Sequence, residues 1–177
     1  MIHLYDARKY EAGPFSELKV SQSSVEDFLK TKGQQTPQAA RELSRSEWAS
    51  LKFDSSGKHM LVTTRSGMAM SLDGFTAEVQ QAFLAPATNT TNIDPDSFTI
   101  DDEDVAPASN KIVACFTPDD RFILGGCSNG TIQCWEAATG RLVRQLDGHA
   151  DAVTALAFNP KLAMFASSCT NTALWCW

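Results

Sequence analysis

Two stretches of the chain superimpose without a gap. FTPDDRFILGGCSNGTIQCW (Phe116 to Trp135) and FNPKLAMFASSCTNTALWCW (Phe158 to Trp177) share Phe, Pro, Cys, Asn, Cys and Trp at an offset of 42 residues. FDSSGKHMLVTTRSGMAMSL (Phe53 to Leu72) fits the same frame, with Phe53, Gly67 and the last apolar residue in register. A partial copy opens the chain, where Ile2-His3-Leu4-Tyr5-Asp6 aligns with Ile132-Gln133-Cys134-Trp135-Glu136. A period of this length is the signature of a repeat architecture, and it outranks any local reading of secondary structure.

Within each copy the apolar pattern has period two. Ile112, Ala114 and Phe116 alternate with Val113 and Cys115, Phe122 to Leu124 is a short apolar run, and Ile132 and Cys134 alternate with Gln133 and Trp135. Short strands separated by turns follow. Asp119-Asp120 and Asp54-Ser55-Ser56-Gly57 supply turn chemistry, and Ser128-Asn129-Gly130 predicts a hairpin of type I′. A fourth strand, Leu142 to Leu146, comes after Ala138-Thr139-Gly140. Four antiparallel strands per repeat describe one blade of a β-propeller, so the expected fold is all-β, with about three blades in a single incomplete domain over residues 1–177.

Gly148-His149, then Val153 to Phe158, then a strand ending in apolar-x-apolar-Trp, resembles a WD repeat. The Trp-Asp dipeptide of such repeats is Trp135-Glu136 in the best copy, Tyr5-Asp6 in the first and Leu72-Asp73 in the second. The resemblance implies a buried hydrogen-bonded tie of His, Ser or Thr, turn Asp and Trp. Its candidates here are His149, Ser167, Asn171 and Trp177. An amide in place of the carboxylate keeps an acceptor for the imidazole but loses charge assistance, which weakens the tie. The segments IHLYDARKYEAGPFSELKV, EWASLKF, CFTPDDRFILGG and FNPKLAMFASSCTNTALW resemble more closely the C-terminal half of one family. It is the WD-repeat subunit shared by the SET-domain (COMPASS-type) histone H3 lysine-4 methyltransferase complex and a protein phosphatase 1 and transcript-termination complex. Tyr5-Asp6-x-Arg8 followed by Gly13-Pro14-Phe15 is the most distinctive part, since generic WD repeats lack it.

Both chain ends fall inside a blade, so the chain reads as a fragment or truncated product whose missing blades come from upstream sequence or from another chain. Two inserts lengthen the connections into first strands. Residues 21–46 carry Ser23-x-x-Glu26, a capping-box pattern, and Ala39 to Leu43, which predict one or two short helices. Residues 85–110 are rich in Thr, Asn, Pro and Asp and predict disorder. Turns alternate ends in an antiparallel blade, which puts both inserts, Gly148-His149 and Asn129-Gly130 on one face. The family pattern lacks inserts of this length.

The remaining residues narrow the function. Six of the 21 acids lie between Asp94 and Asp104 with no Lys or Arg among them, and elsewhere the acids balance the 15 basic residues. No clustered excess of positive charge faces a nucleic-acid backbone, so direct nucleic-acid binding is not expected. No apolar run is long enough for a membrane helix, and no secretory signal opens the chain. Five cysteines without a C-x-x-C argue against a disulfide framework or zinc site and read as strand-core positions. His3 and His59 read as surface or packing residues without partners, and His149 as a structural turn histidine. Trp175 and Trp177 share one side of a strand and read as packing between blades rather than as a cage for a methylated lysine. Catalytic motifs are absent, and no cofactor or metal is implied. A non-enzymatic scaffold is the expectation. By the resemblance it is nuclear, with methyltransferase or phosphatase-regulator subunits and the RNA polymerase II tail as partners. A WD adaptor of another complex, such as a ubiquitin-ligase substrate receptor, is the alternative.

Overall fold

The computed structural model describes residues 1–31, 44–86 and 111–177. The helix expected at Ala39 to Leu43 and the disorder expected over residues 87–110 lie outside the described residues. Strands β1 (Ile2–Leu4) and β2 (Ser16–Leu18) form a hairpin around a 3₁₀ turn at Ala7–Ala12, and helix α1 (Gln22–Thr31) follows. Then come β3 (Trp48–Phe53), β4 (His59–Thr64), β5 (Met68–Asp73) and β6 (Val79–Leu84) in one sheet. The next holds β7 (Ile112–Phe116), β8 (Phe122–Cys127), β9 (Thr131–Glu136) and β10 (Leu142–Asp147), and the last β11 (Ala155–Phe158), β12 (Met164–Ser168) and β13 (Thr172–Cys176). Every pairing is antiparallel and joins strands adjacent in sequence. The described chain is thus mostly strand, in the arrangement of a partial WD-repeat β-propeller.

The alternation seen in the sequence decides how the sheets stack. Met60 and Val62 of β4 point to one side, where Val25 and Leu29 of α1 and Ile2 and Leu18 of the first hairpin cover them. Leu61, between them, points the other way and meets Ile112, Ala114, Ile123 and Trp135 of the next sheet, together with Phe83. Leu124, one residue beyond Ile123, faces Val153, Leu156 and Phe165 of the last sheet. Central strands therefore bury both faces, which is why β4, β5, β8 and β9 are buried along most of their length.

Each junction also carries polar bonds. Gln81 Nε2 donates to the Ala138 carbonyl at 2.8 Å, and the Ser55 amide donates to Asp120 Oδ1 at 2.8 Å. A hydrogen bond adds about 0.5–1.5 kcal/mol net, whereas burying one Phe or Leu side chain adds about 1.5–3 kcal/mol. Apolar contact therefore holds the sheets together, and the polar bonds fix how they are aligned. Asp120 adopts φ +56°, an unfavourable value for a non-glycine residue, while its carboxylate holds the neighbouring sheet through Ser55.

Local details differ from the sequence reading in three places. Ser21, not Ser23, caps α1: its Oγ accepts the Ser24 amide at 3.0 Å, and Ser23 lies inside the helix. The strand expected from Phe15 to Val20 is confined to Ser16–Leu18, the residues with partners across the hairpin. The Ser128-Asn129-Gly130 loop is not type I′, because only Gly130 has positive φ (+82°). Its amide donates to the Cys127 carbonyl at 3.2 Å, and Asn129 Oδ1 accepts from the Thr131 amide at 3.1 Å. That is a three-residue loop closed by a left-handed glycine.

Gly130 also sits under the next repeat, since a Cβ there would lie 2.2 Å from the His149 carbonyl oxygen. Gly57, at φ +70°, has open space around it. Both Gly130→Ala and Gly57→Ala meet the backbone penalty of about 1 kcal/mol, and only the first also meets a clash. Urea titrations are expected to show a loss for Gly130→Ala larger than that for Gly57→Ala by at least about 1 kcal/mol. Equal losses would mean that the loop yields freely.

Candidate functional site

The tie expected at the end of the chain is built, with two substitutions of membership. His149 Nε2 lies 2.6 Å from Ser167 Oγ, so the structure brings those two together. The indole that joins them is Trp175, whose Nε1 donates to Ser167 Oγ at 2.7 Å, and not Trp177. Strand register explains the difference. Ser167 is opposite Ala173, which makes Trp175 its diagonal neighbour, whereas Trp177 is two residues further on, beside Ala163. Trp177 instead meets Phe122 of the preceding sheet edge-on at 5.8 Å, and Trp175 stacks on Phe165 at 5.7 Å and 7°. The place expected of the Asn171 side chain is taken by Cys169, whose Sγ is 3.1 Å from His149 Nδ1. Asn171 contributes its backbone amide, 3.4 Å from the same sulfur. Room for the Trp175 ring comes from Gly148, where a Cβ would lie 2.3 Å from the indole.

The cysteine reading needs correction accordingly. Cys115, Cys127 and Cys134 are buried, but Cys169 is partly exposed and Cys176 is exposed. Burial pushes the Cys127 and Cys134 thiols up to about 11. The Asn171 amide, with the Thr170 hydroxyl and His149, brings Cys169 down to about 7 against the effect of desolvation. The third strand of the last sheet has no fourth beside it among the described residues, so alternate residues of β13 face outward.

The repeat-defining acids share one task. Asp73 Oδ1 accepts the Phe75 and Thr76 amides at 2.8 Å, Asp6 Oδ1 accepts the Arg8 amide at 3.0 Å, and Glu136 Oε2 accepts the Thr139 hydroxyl at 2.6 Å. Each closes the turn that leaves the third strand of its copy. Their aromatic neighbours differ. Trp135 is buried against Phe83 at 5.7 Å, and a Cβ on Gly125 would meet its ring at 2.5 Å. Tyr5 is exposed and lies 5.2 Å from the Tyr10 ring. The Arg8 guanidinium folds back on Asp6 through Nε and Nη2, both at 3.1 Å, and that pairing with the Arg8 amide holds the Asp6 carboxyl below its ordinary range. A hollow of about 450 Å³ beside this turn is lined by Asp6, Arg8, Lys9, Ala12, Gly13 and Phe15. Tyr10 and Phe15 are 67% and 69% exposed, so the turn presents aromatic faces beside cationic side chains.

A cleft of about 550 Å³ separates the second and third sheets, bordered by Asp54, Lys58, His59, Gln81, Asp120 and Ala137. The sequence gave no sign of its central pair. His59 Nδ1 is 2.9 Å from Asp54 Oδ2, and His3 Nδ1 is 3.5 Å from Glu17 Oε1, so both histidines have carboxylate partners, contrary to the sequence reading. The Asp54 side chain is only 1% exposed. Burial alone would raise its acidity constant, but bonds from the His59 ring, the His59 amide and the Ser56 hydroxyl outweigh it and hold the carboxyl below its ordinary value. Among the described residues no three His, Cys, Asp or Glu side chains converge as metal ligands, and no helix is long and apolar enough to cross a membrane.

Residues 107–136 and 140–177 match the family model of the WD domain, G-beta repeat. The chain is 31% identical over 175 residues to WD repeat-containing protein 82 of Drosophila melanogaster, covering 98% of this chain and 43% of that protein. It is 27% identical over 175 residues to the COMPASS component SWD2 of Saccharomyces cerevisiae, covering 94% of this chain and 43% of that protein. The family resemblance read from the sequence recurs in these relatives, and the chain spans less than half their length. A computationally designed protein, Ika4, has the same fold over 74% of this chain and 66% of its own, with a TM-score of 0.52 and 21% identity.

Two measurements test the site. Trp175→Phe removes the indole donor to Ser167 and is expected to cost about 1–3 kcal/mol in a urea titration, whereas Trp177→Phe keeps the tie and costs less. The reverse order would return Trp177 to the tie. For Asp54, the depressed folded-state value means that its stabilisation is present above the unfolded carboxyl range, near 3.9, and is lost as pH falls through the folded value. Asp54→Asn is therefore expected to destabilise at pH 7 by about 1–2 kcal/mol and much less at pH 3. A pH-independent difference would argue that the loss is steric.

Proposed function

We propose that this chain, built of WD repeats, is a scaffold without catalytic activity in a nuclear histone H3 lysine-4 methyltransferase complex, and links that complex to transcribing RNA polymerase II. The observation that carries the reading is the similarity to the COMPASS component SWD2 and to WD repeat-containing protein 82 along nearly all of this chain. The physical form agrees with the role. Strand hydrogen bonds are spent inside the sheets and apolar side chains between them, which leaves turns and clefts to meet other proteins.

The exposed Tyr5-to-Phe15 turn is the surface we assign to partner binding. Tyr5, Tyr10 and Phe15 are outward without serving the core, and aromatic and Arg side chains are enriched where proteins bind one another. The Arg8 side chain is 88% exposed even while paired with Asp6. The structural roles of His149, Ser167 and Trp175 are those of positioning the turns.

Affinity purification of the tagged chain from nuclear extract, followed by mass spectrometry, tests both statements. SET-domain methyltransferase subunits are expected in the eluate, with phosphatase-regulator subunits as the second recovered set. Arg8→Glu combined with Phe15→Ala is expected to reduce their recovery several-fold while leaving the circular dichroism spectrum unchanged. Ubiquitin-ligase subunits recovered without either set would overturn the proposal.

A further inference from the structure

The hydrogen bonds that close the last repeat have a direction. The Trp175 indole nitrogen is a donor only, so Ser167 Oγ at 2.7 Å accepts from it. The serine proton is then free to point at His149 Nε2, 2.6 Å away, which makes that nitrogen the acceptor of a neutral ring. The network thereby assigns the ring's single N–H to Nδ1, and Nδ1 is 3.1 Å from Cys169 Sγ. A second donor, the Asn171 amide, approaches the same sulfur at 3.4 Å. Two N–H groups converging on one sulfur favour its anion. The Thr170 hydroxyl, 3.6 Å from Sγ, gives its own proton to Asp151 Oδ2 at 2.9 Å, so it receives from the thiol rather than donating to the thiolate.

No other cysteine has this surrounding. Cys115, Cys127 and Cys134 are buried, and the Cys127 thiol donates to the Gly125 carbonyl at 3.7 Å. Cys176 is exposed, in a strand with no further strand beside it among the described residues.

We infer that Cys169 is a modification site: a nucleophilic thiolate, held by His149 Nδ1–H and the Asn171 amide, that hydroperoxides oxidise ahead of the other cysteines of the chain. A sulfur lone pair attacks one peroxide oxygen, an S–O bond forms as the O–O bond breaks, and hydroxide leaves to take up a solvent proton. The product is a sulfenic acid. Because the sulfur is the acceptor for His149, its oxidation also weakens the tie to Ser167 and Trp175. The ionisable side chains that face the sulfur are His149 directly and Asp151 through Thr170, and the lowering of the thiol to about 7 agrees with the two donors.

The test uses the full chain with limiting hydrogen peroxide and dimedone, a sulfenic-acid trap, from pH 5.5 to 8.5, read by peptide mass spectrometry. Cys169 is expected to carry the adduct first, several-fold ahead of Cys176 at pH 6.5, at a rate that rises through a midpoint near 7. His149→Gln removes the Nδ1–H donor and is expected to move that midpoint upward and slow Cys169 several-fold at pH 6.5, with Cys176 unaffected. Wild-type labelling of Cys176 equal to or ahead of Cys169, or a midpoint above about 8.5, overturns the inference. An unaltered profile in a folded His149→Gln chain removes the histidine from it. Should that variant unfold, the wild-type order and midpoint decide alone.

Discussion

A β-sheet that is apolar on both faces cannot stand by itself in water. In β4 and β8, successive residues such as Val62 and Leu61, or Ile123 and Leu124, point to opposite sides and are all buried. Each sheet must therefore be covered twice, once by its predecessor and once by its successor. At the front of the described chain the cover is α1 with the β1–β2 hairpin; further on it is the next copy of the same four-strand unit. The stacking order, the inter-sheet clefts and the outward position of the turns all follow from that requirement.

Much of this was legible in the residues because it depends on periodicity. The strand limits at Trp48–Phe53, Val79–Leu84 and Ile112–Phe116 coincide with the alternation, since burying one face leaves little freedom of register. The acid at the end of each third strand was likewise visible, as Asp6, Asp73 and Glu136, because a turn acceptor acts on amides only two or three residues away.

What escaped the sequence depended on through-space neighbours. The tie was placed on Trp177 by its spacing from Asn171, yet reach across a strand pair is set by the register Ser167 to Ala173, and that register selects Trp175. A strand-pairing diagram would have found it; a linear alignment does not contain it. The Asp54–His59 pair and the Gln81 bond to Ala138 were equally invisible, since each joins groups whose proximity exists only after the turns and sheets have formed. Cys169 was read as core because Cys127, its counterpart in the preceding copy, is core. The two diverge because Cys127 is covered by the following sheet and Cys169 is not covered by any described strand.

The two-sided burial at the Phe83–Trp135 contact has a thermodynamic corollary. When stability is shared only between adjacent layers, free energy behaves like a one-dimensional lattice with strong nearest-neighbour coupling. Damage at one seam then weakens the pair of layers it joins and fades beyond them, so that melting advances from an end like a zipper while interior layers stay folded longest.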